Sequence, residues 1–148
     1  MIRKLMDALH RYIVGHNPEL LLRLEEGFSL TDYLEAKAAA VLPLINQWTA
    51  EGQAAYLIEE RCLQEMTAEL RPSRFLYLKE LLEEEFIAEY TALRESGTLT
   101  YELVNLLNKA APVFEELGFS QATEDDRLTR YAIIGIVQEY LSLQKGIS

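Results

Sequence analysis

Few of the residues that catalytic and metal chemistry usually requires are present: one cysteine, two histidines and seven scattered glycines among 148 residues. A lone cysteine excludes an internal disulfide and removes the main sign of an oxidising compartment. Cys62 lies one helical turn from both Ile58 and Met66. That spacing makes it a small core residue rather than a nucleophile, which would need a cationic neighbour and exposure. Neither His10 nor His16 follows a glutamate by three residues, and no His-Glu-x-x-His stretch occurs. The ligand patterns of helical di-metal bundles and zinc proteases are therefore missing. Gly-rich phosphate loops and the Gly-x-Ser-x-Gly elbow are missing too. These absences predict no catalytic residue, no metal and no cofactor.

Cations are also scarce. Fourteen lysines and arginines face 24 aspartates and glutamates, a net charge of −10. Such a surface repels phosphate backbones and anionic lipids, so direct nucleic-acid binding is not expected. It suits a basic protein partner or, at the extreme, a protein that mimics DNA. No apolar run approaches the roughly 20 residues that cross a bilayer. The start, "MIRKLMDALHRYIV", interrupts its apolar residues with Asp7, His10 and Arg11, unlike a signal peptide. A cytoplasmic protein without a membrane partner is the expectation.

Helical spacing fills the rest. Ile2, Leu5, Met6, Leu9 and Ile13 form one face, and Asn17 with Pro18 can start a second helix that Gly27 ends. A third helix carries Leu34, Ala38, Val41, Leu42, Ile45 and Trp48, with Pro43 inside it. After Gly52 comes a fourth, ending before Pro72. Ser73 can cap a fifth from Arg74 to about Glu95, and Gly97 closes it. Leu103, Leu106, Leu107, Ala110, Phe114 and Leu117 line a sixth that contains Pro112, and an acidic loop opens the seventh. Connections are short and no repeat is evident. The expected fold is all-α: a compact bundle of five to seven helices, two kinked at Pro43 and Pro112, in a single domain over residues 1–148. Arg71 to Arg74 is where a split into two helical halves would fall.

The stretch "KELLEEEFIAEY", residues 79–90, concentrates acid. On a helical wheel Phe75, Leu82, Phe86 and Leu93 share a narrow arc flanked by Leu78 and Tyr90, as a central packing helix requires. Glu80 and Glu84 fall in the polar third. Glu85 and Glu89 lie one turn apart on an apolar flank, where like charges repel. Something must compensate them: a basic side chain such as Arg127 or Arg130 of the last helix, a bound metal, or a raised pKa that keeps one carboxyl protonated. Glu85, Glu89, Arg127, Arg130 and the turn histidine His16 are thus the candidate polar site.

Three stretches carry a resemblance: "HNP" at 16–18, "PSRFLYLKELLEEEF" at 72–86 and "VFEELGFSQATEDD" at 113–126. Their order resembles a family of small helical proteins from Bacteroidetes that carries a domain-of-unknown-function label. Ser73, Glu85, Phe86, Val113, Phe114 and Glu115 occupy comparable places. "TAELRP" stands where that family has a Gly-Leu-x-Phe step. The resemblance implies an all-helical fold and assigns no activity, substrate or cofactor.

Together these features suggest a protein-interaction or regulatory module with a protein partner, self-association being one form of it. An enzyme or small-ligand binder using a helix-borne carboxylate site is the first alternative. An acidic DNA mimic is the second.

Overall fold

The apolar stripes become helices throughout, and no strand occurs among the described residues, 1–147 of the computed structural model. In chain order these residues form α1 (Ile2–His16), α2 (Pro18–Glu26), α3 (Leu30–Ala40), α4 (Leu42–Ala50), α5 (Ala55–Thr67), a 3-10 turn (Ala68–Leu70), α6 (Arg74–Glu85), α7 (Ile87–Ser96), α8 (Leu99–Glu116) and α9 (Arg127–Ile147). Nine α-helices among the described residues exceed the expected five to seven because two expected helices are each broken once. The first break lies at Val41, and Pro43 then occupies the opening turn of α4, where a missing N–H leaves no bond unmade. The second lies at Phe86, whose φ of −137° and ψ of 52° leave the helical region. Pro43 stands at the break between α3 and α4, and Pro112 lies inside α8, which continues through it. Ser73 does cap α6, its hydroxyl accepting from the Leu76 N–H at 3.1 Å.

The chain divides into two compact units, Met1–Arg71 and Pro72–Ser148, at the stretch where the sequence allows a split. Within the first, α1 packs on α2, α3 and α5, and α4 packs on α5. Its core holds Leu5, Leu9 and Ile13 of α1, Leu34 of α3, Ile45 of α4, and Ile58, Cys62 and Met66 of α5. Within the second, α6 packs on α7, α8 and α9, and α8 packs on α9. Leu78 and Leu82 of α6, Tyr90 of α7, Leu103, Leu107 and Phe114 of α8, and Ile133 and Val137 of α9 form its core.

The two units follow one plan. Asn17 separates α1 from α2 with φ −139° and ψ 57°, nearly the values of Phe86 between α6 and α7. Their numbers differ by 69 (86 against 17), and the same difference links a left-handed residue in each unit (97 against 28) and the two prolines (112 against 43). It also pairs buried residues: Leu9 with Leu78, Ile13 with Leu82, Leu34 with Leu103, Ala38 with Leu107, Val41 with Ala110, and Ile45 with Phe114. The absence of an evident repeat in the sequence is thereby corrected. The shared pattern lies in burial and backbone conformation, while most paired positions carry different residues.

Leu78 is fully buried and Glu80 is exposed on the same helix. We expect Leu78→Ala to lower the unfolding free energy by about 2–5 kcal/mol, and Glu80→Ala to change it by no more than about 0.5 kcal/mol, in urea denaturation followed by circular dichroism.

Candidate functional site

The break at Phe86 changes the expected site. It places Glu85 at the end of α6 and Glu89 in the first turn of α7, so the two no longer share one helix. Glu89 instead lies at a helix start, where the macrodipole favours negative charge. Arg130 of α9 reaches the end of α6, its Nη2 donating to Glu85 Oε1 and to Glu84 Oε2, each at 2.8 Å. Arg130, and not Arg127, is the compensating cation; Arg127 is exposed at the first position of α9. Glu84, assigned to solvent on the wheel, keeps 63% of its side chain exposed yet shares the arginine. The two carboxylates hold the Arg130 guanidinium still more firmly protonated, Glu85 contributing most. This cluster braces the last turn of α6 against the first turns of α9. A pair of carboxylates already committed to an arginine is a poor cation trap, and among the described residues no three His, Cys, Asp or Glu side chains group as a metal site would need.

His16 belongs to the first unit. Its ring stacks on Tyr12 at 4.0 Å and 2°, and its Nδ1 lies 3.0 Å from the Tyr12 carbonyl oxygen. A carbonyl only accepts, so Nδ1 carries the proton and the histidine serves the end of α1. Cys62 is buried and burial pushes its thiol pKa up, the opposite of what a nucleophile needs.

Two tyrosines form clusters that sequence spacing did not reveal. Tyr77 meets Phe119 edge-on at 5.0 Å and Phe114 at 5.8 Å, and its buried hydroxyl has no hydrogen-bond partner. Burial raises its pKa, with Arg130 opposing and Asp125 reinforcing the shift. Tyr140 of α9 donates to Glu102 Oε2 of α8 at 2.5 Å and accepts from Gln144 Nε2 at 3.1 Å. Lys109 sits 5.9 Å over the Tyr140 ring and 3.9 Å from Glu139, which completes a polar seam between α8 and α9. Nothing in the spacing named Glu102 as the acceptor of Tyr140, because the pair joins residues far apart in sequence.

The ends of the helices supply the least expected feature. α4, α7 and α8 each close with a left-handed glycine: Gly52 at φ 79°, Gly97 at 77° and Gly118 at 64°. In each case the next residue's N–H donates five residues back, as Thr98 does to Leu93 O at 3.0 Å. α2 closes with the same bond, from Ser29 to Leu24 O at 2.9 Å, but its left-handed residue is Phe28 at φ 54°. Gly27 ends that helix as expected, but with an ordinary φ of −86°, and the left-handed place is the next one. A left-handed conformation costs a residue with a Cβ roughly 1–2 kcal/mol. The Phe28 ring is also 95% exposed, so burial returns nothing to offset that cost.

No protein-family model, curated protein or solved structure matches this chain. The functional reading rests on these residues and their geometry.

Arg130→Ala should destabilise the chain by about 0.5–1 kcal/mol at low salt and by less at high salt, since the ion pairs are partly exposed. Paired urea titrations at the two salt concentrations measure this difference. Tyr140 generates a prediction in pH. Its pKa is raised from 10.0 to about 12, first by burial and then by the hydrogen bond and charge of Glu102. The folded chain keeps a proton that the unfolded chain releases, so this contribution is complete below pH 10.0 and lost as pH rises toward about 12. Tyr140→Phe should cost about 1 kcal/mol at neutral pH and should flatten the alkaline fall in stability, as read from urea midpoints across that range.

Proposed function

We propose that the chain acts through noncovalent contact, as a protein-interaction or regulatory module engaging a protein partner in the cytoplasm, with self-association as one form of that contact. The observation that supports this reading is Phe28: a large apolar ring, 95% exposed, on a backbone conformation that disfavours any residue but glycine. Within the first unit it forfeits both burial and backbone ease. An intermolecular contact is what could compensate for both, because buried aromatic anchors supply most of the energy of small interfaces. The resemblance to the Bacteroidetes family remains part of this proposal, on the residues quoted for it.

The acidic composition also fits a DNA mimic, which needs carboxylates in uncompensated rows. Lys4 with Glu59, Lys37 with Glu69, Arg74 with Glu115 and Lys109 with Glu139 instead interleave charge across the surface. That pattern counts against mimicry. Among the described residues no helix is long and apolar enough to cross a membrane.

The expected outcome in fresh host lysate is a complex heavier than the 17.0 kDa of the chain alone, by size-exclusion chromatography with light scattering and immunodetection. Elution of all the protein at the mass of a single chain would contradict the proposal.

A further inference from the structure

We propose that the turn joining α2 to α3 is the docking element, with Phe28 inserting its ring into an apolar socket of a partner protein whose rim carries lysine or arginine. This rests on the interaction reading above and adds the place of contact and the chemistry of the partner.

The chain contains its own comparison. Position 97 of the second unit takes the same left-handed conformation at the end of the same short helix, and there the residue is glycine. Nothing lies within 4 Å of where a Cβ would stand at Gly97, so glycine serves the backbone angle there rather than a close approach. The turn therefore has no steric need for a side chain at this position, and the fold works with none. In the first unit a glycine is available one residue earlier, yet the left-handed place is given to the bulkier Phe28. Its ring stands in solvent at the tip of a turn held by three backbone bonds, from Gly27 to Arg23 O, Phe28 to Glu25 O and Ser29 to Leu24 O. A fixed turn presents the ring with little further loss of freedom on binding.

Charge selects the partner. Glu25 and Glu26 in the last turn of α2 and Asp32 in the first turn of α3 are all exposed and lie within four residues of Phe28 in the chain, and Arg23 is the cation of the last turn of α2. Three carboxylates against one guanidinium favour a basic rim and disfavour two other occupants of an exposed phenylalanine. An anionic membrane surface would repel the turn, and a second copy of the chain would set acid against acid.

The test uses the full chain in its host with Phe28→p-benzoylphenylalanine as a photo-cross-linker, and the same probe at Tyr56 and Tyr131 as exposed aromatic controls. The expected product is one cross-linked protein from position 28, joined through a segment bearing lysine or arginine. That protein, purified and titrated against the native chain, should bind at least about 30-fold more weakly to Phe28→Ala. A double Glu25→Lys, Glu26→Lys variant should bind several-fold more weakly, with a reduced dependence on salt. Phe28→Gly should melt no lower than the native chain; a clear fall would mean the ring is used within the fold and would overturn the proposal. Cross-links to lipid or to a second copy would overturn the proposed partner. Loss of binding with Phe28→Ala but not with the charge reversals would overturn the basic rim. Cross-links only from Tyr56 or Tyr131 would remove Phe28 and leave the interaction reading intact. No cross-link from any position, with the chain at the mass of a single copy, would remove both.

Discussion

Left-handed residues that stop a helix organise this protein. Four of them, at positions 28, 52, 97 and 118, end α2, α4, α7 and α8 with the same backbone bond. Each turn frees the chain from its helix within two residues and sends the next helix back across the first. Burial can then proceed, since an amphipathic helix stabilises only what it can meet. Three of the four places are held by glycine, which adopts that conformation freely. The fourth is held by Phe28, the one of these four places where local preference and structure disagree. Such disagreements tend to mark functional positions, because elsewhere every level of the sequence favours the same fold.

The same turns expose the relation between the two units. A short helix follows a one-residue break in each, at Asn17 and at Phe86, and a left-handed residue ends it. Each unit then buries matching positions beyond that turn, Leu34 of α3 and Ile45 of α4 in the first, Leu103 and Phe114 of α8 in the second. Differences are local. At Pro43 the chain breaks and restarts, whereas α8 accommodates Pro112 inside a helix of 18 residues. Most paired positions carry different residues, Leu9 with Leu78, Leu34 with Leu103 and Pro43 with Pro112 being among those that agree, so burial and dihedral angles show the pattern more plainly than identity does.

What could be read from the sequence follows from this. Helix faces were legible, because Leu103, Leu107 and Phe114 recur at helical spacing and all three are buried. The stop at Gly97 and the cap at Ser73 were legible for the same local reasons. The break at Phe86 was not, since Phe86 continues the apolar stripe and no proline or glycine marks it. That residue puts Glu85 and Glu89 on different helices, and Arg130 reaches Glu84 together with Glu85 at the end of α6. Arg130 was legible as a cation the acids needed, but which acids share it depends on where α6 stops. The left-handed place at Phe28 was hidden by Gly27, which does end α2 but with an ordinary φ.

Charge serves the fold in one region and faces outward in another. Arg130 with Glu84 and Glu85, and Tyr140 with Glu102, tie α9 to α6 and α8 within the second unit. Glu25, Glu26 and Asp32, close to Phe28 in the chain, are exposed, as is its ring. The central claim is that Phe28 holds a left-handed backbone in the place where the second unit has glycine, with its ring in solvent. Solution NMR of the isotopically labelled chain tests it most directly. The account predicts a strong intraresidue amide-to-α-proton NOE at Phe28, as positive φ requires, and strong broadening of its ring protons by a soluble paramagnetic agent. A weak intraresidue NOE with protected ring protons, as for a residue of ordinary φ packed against the fold, would contradict it.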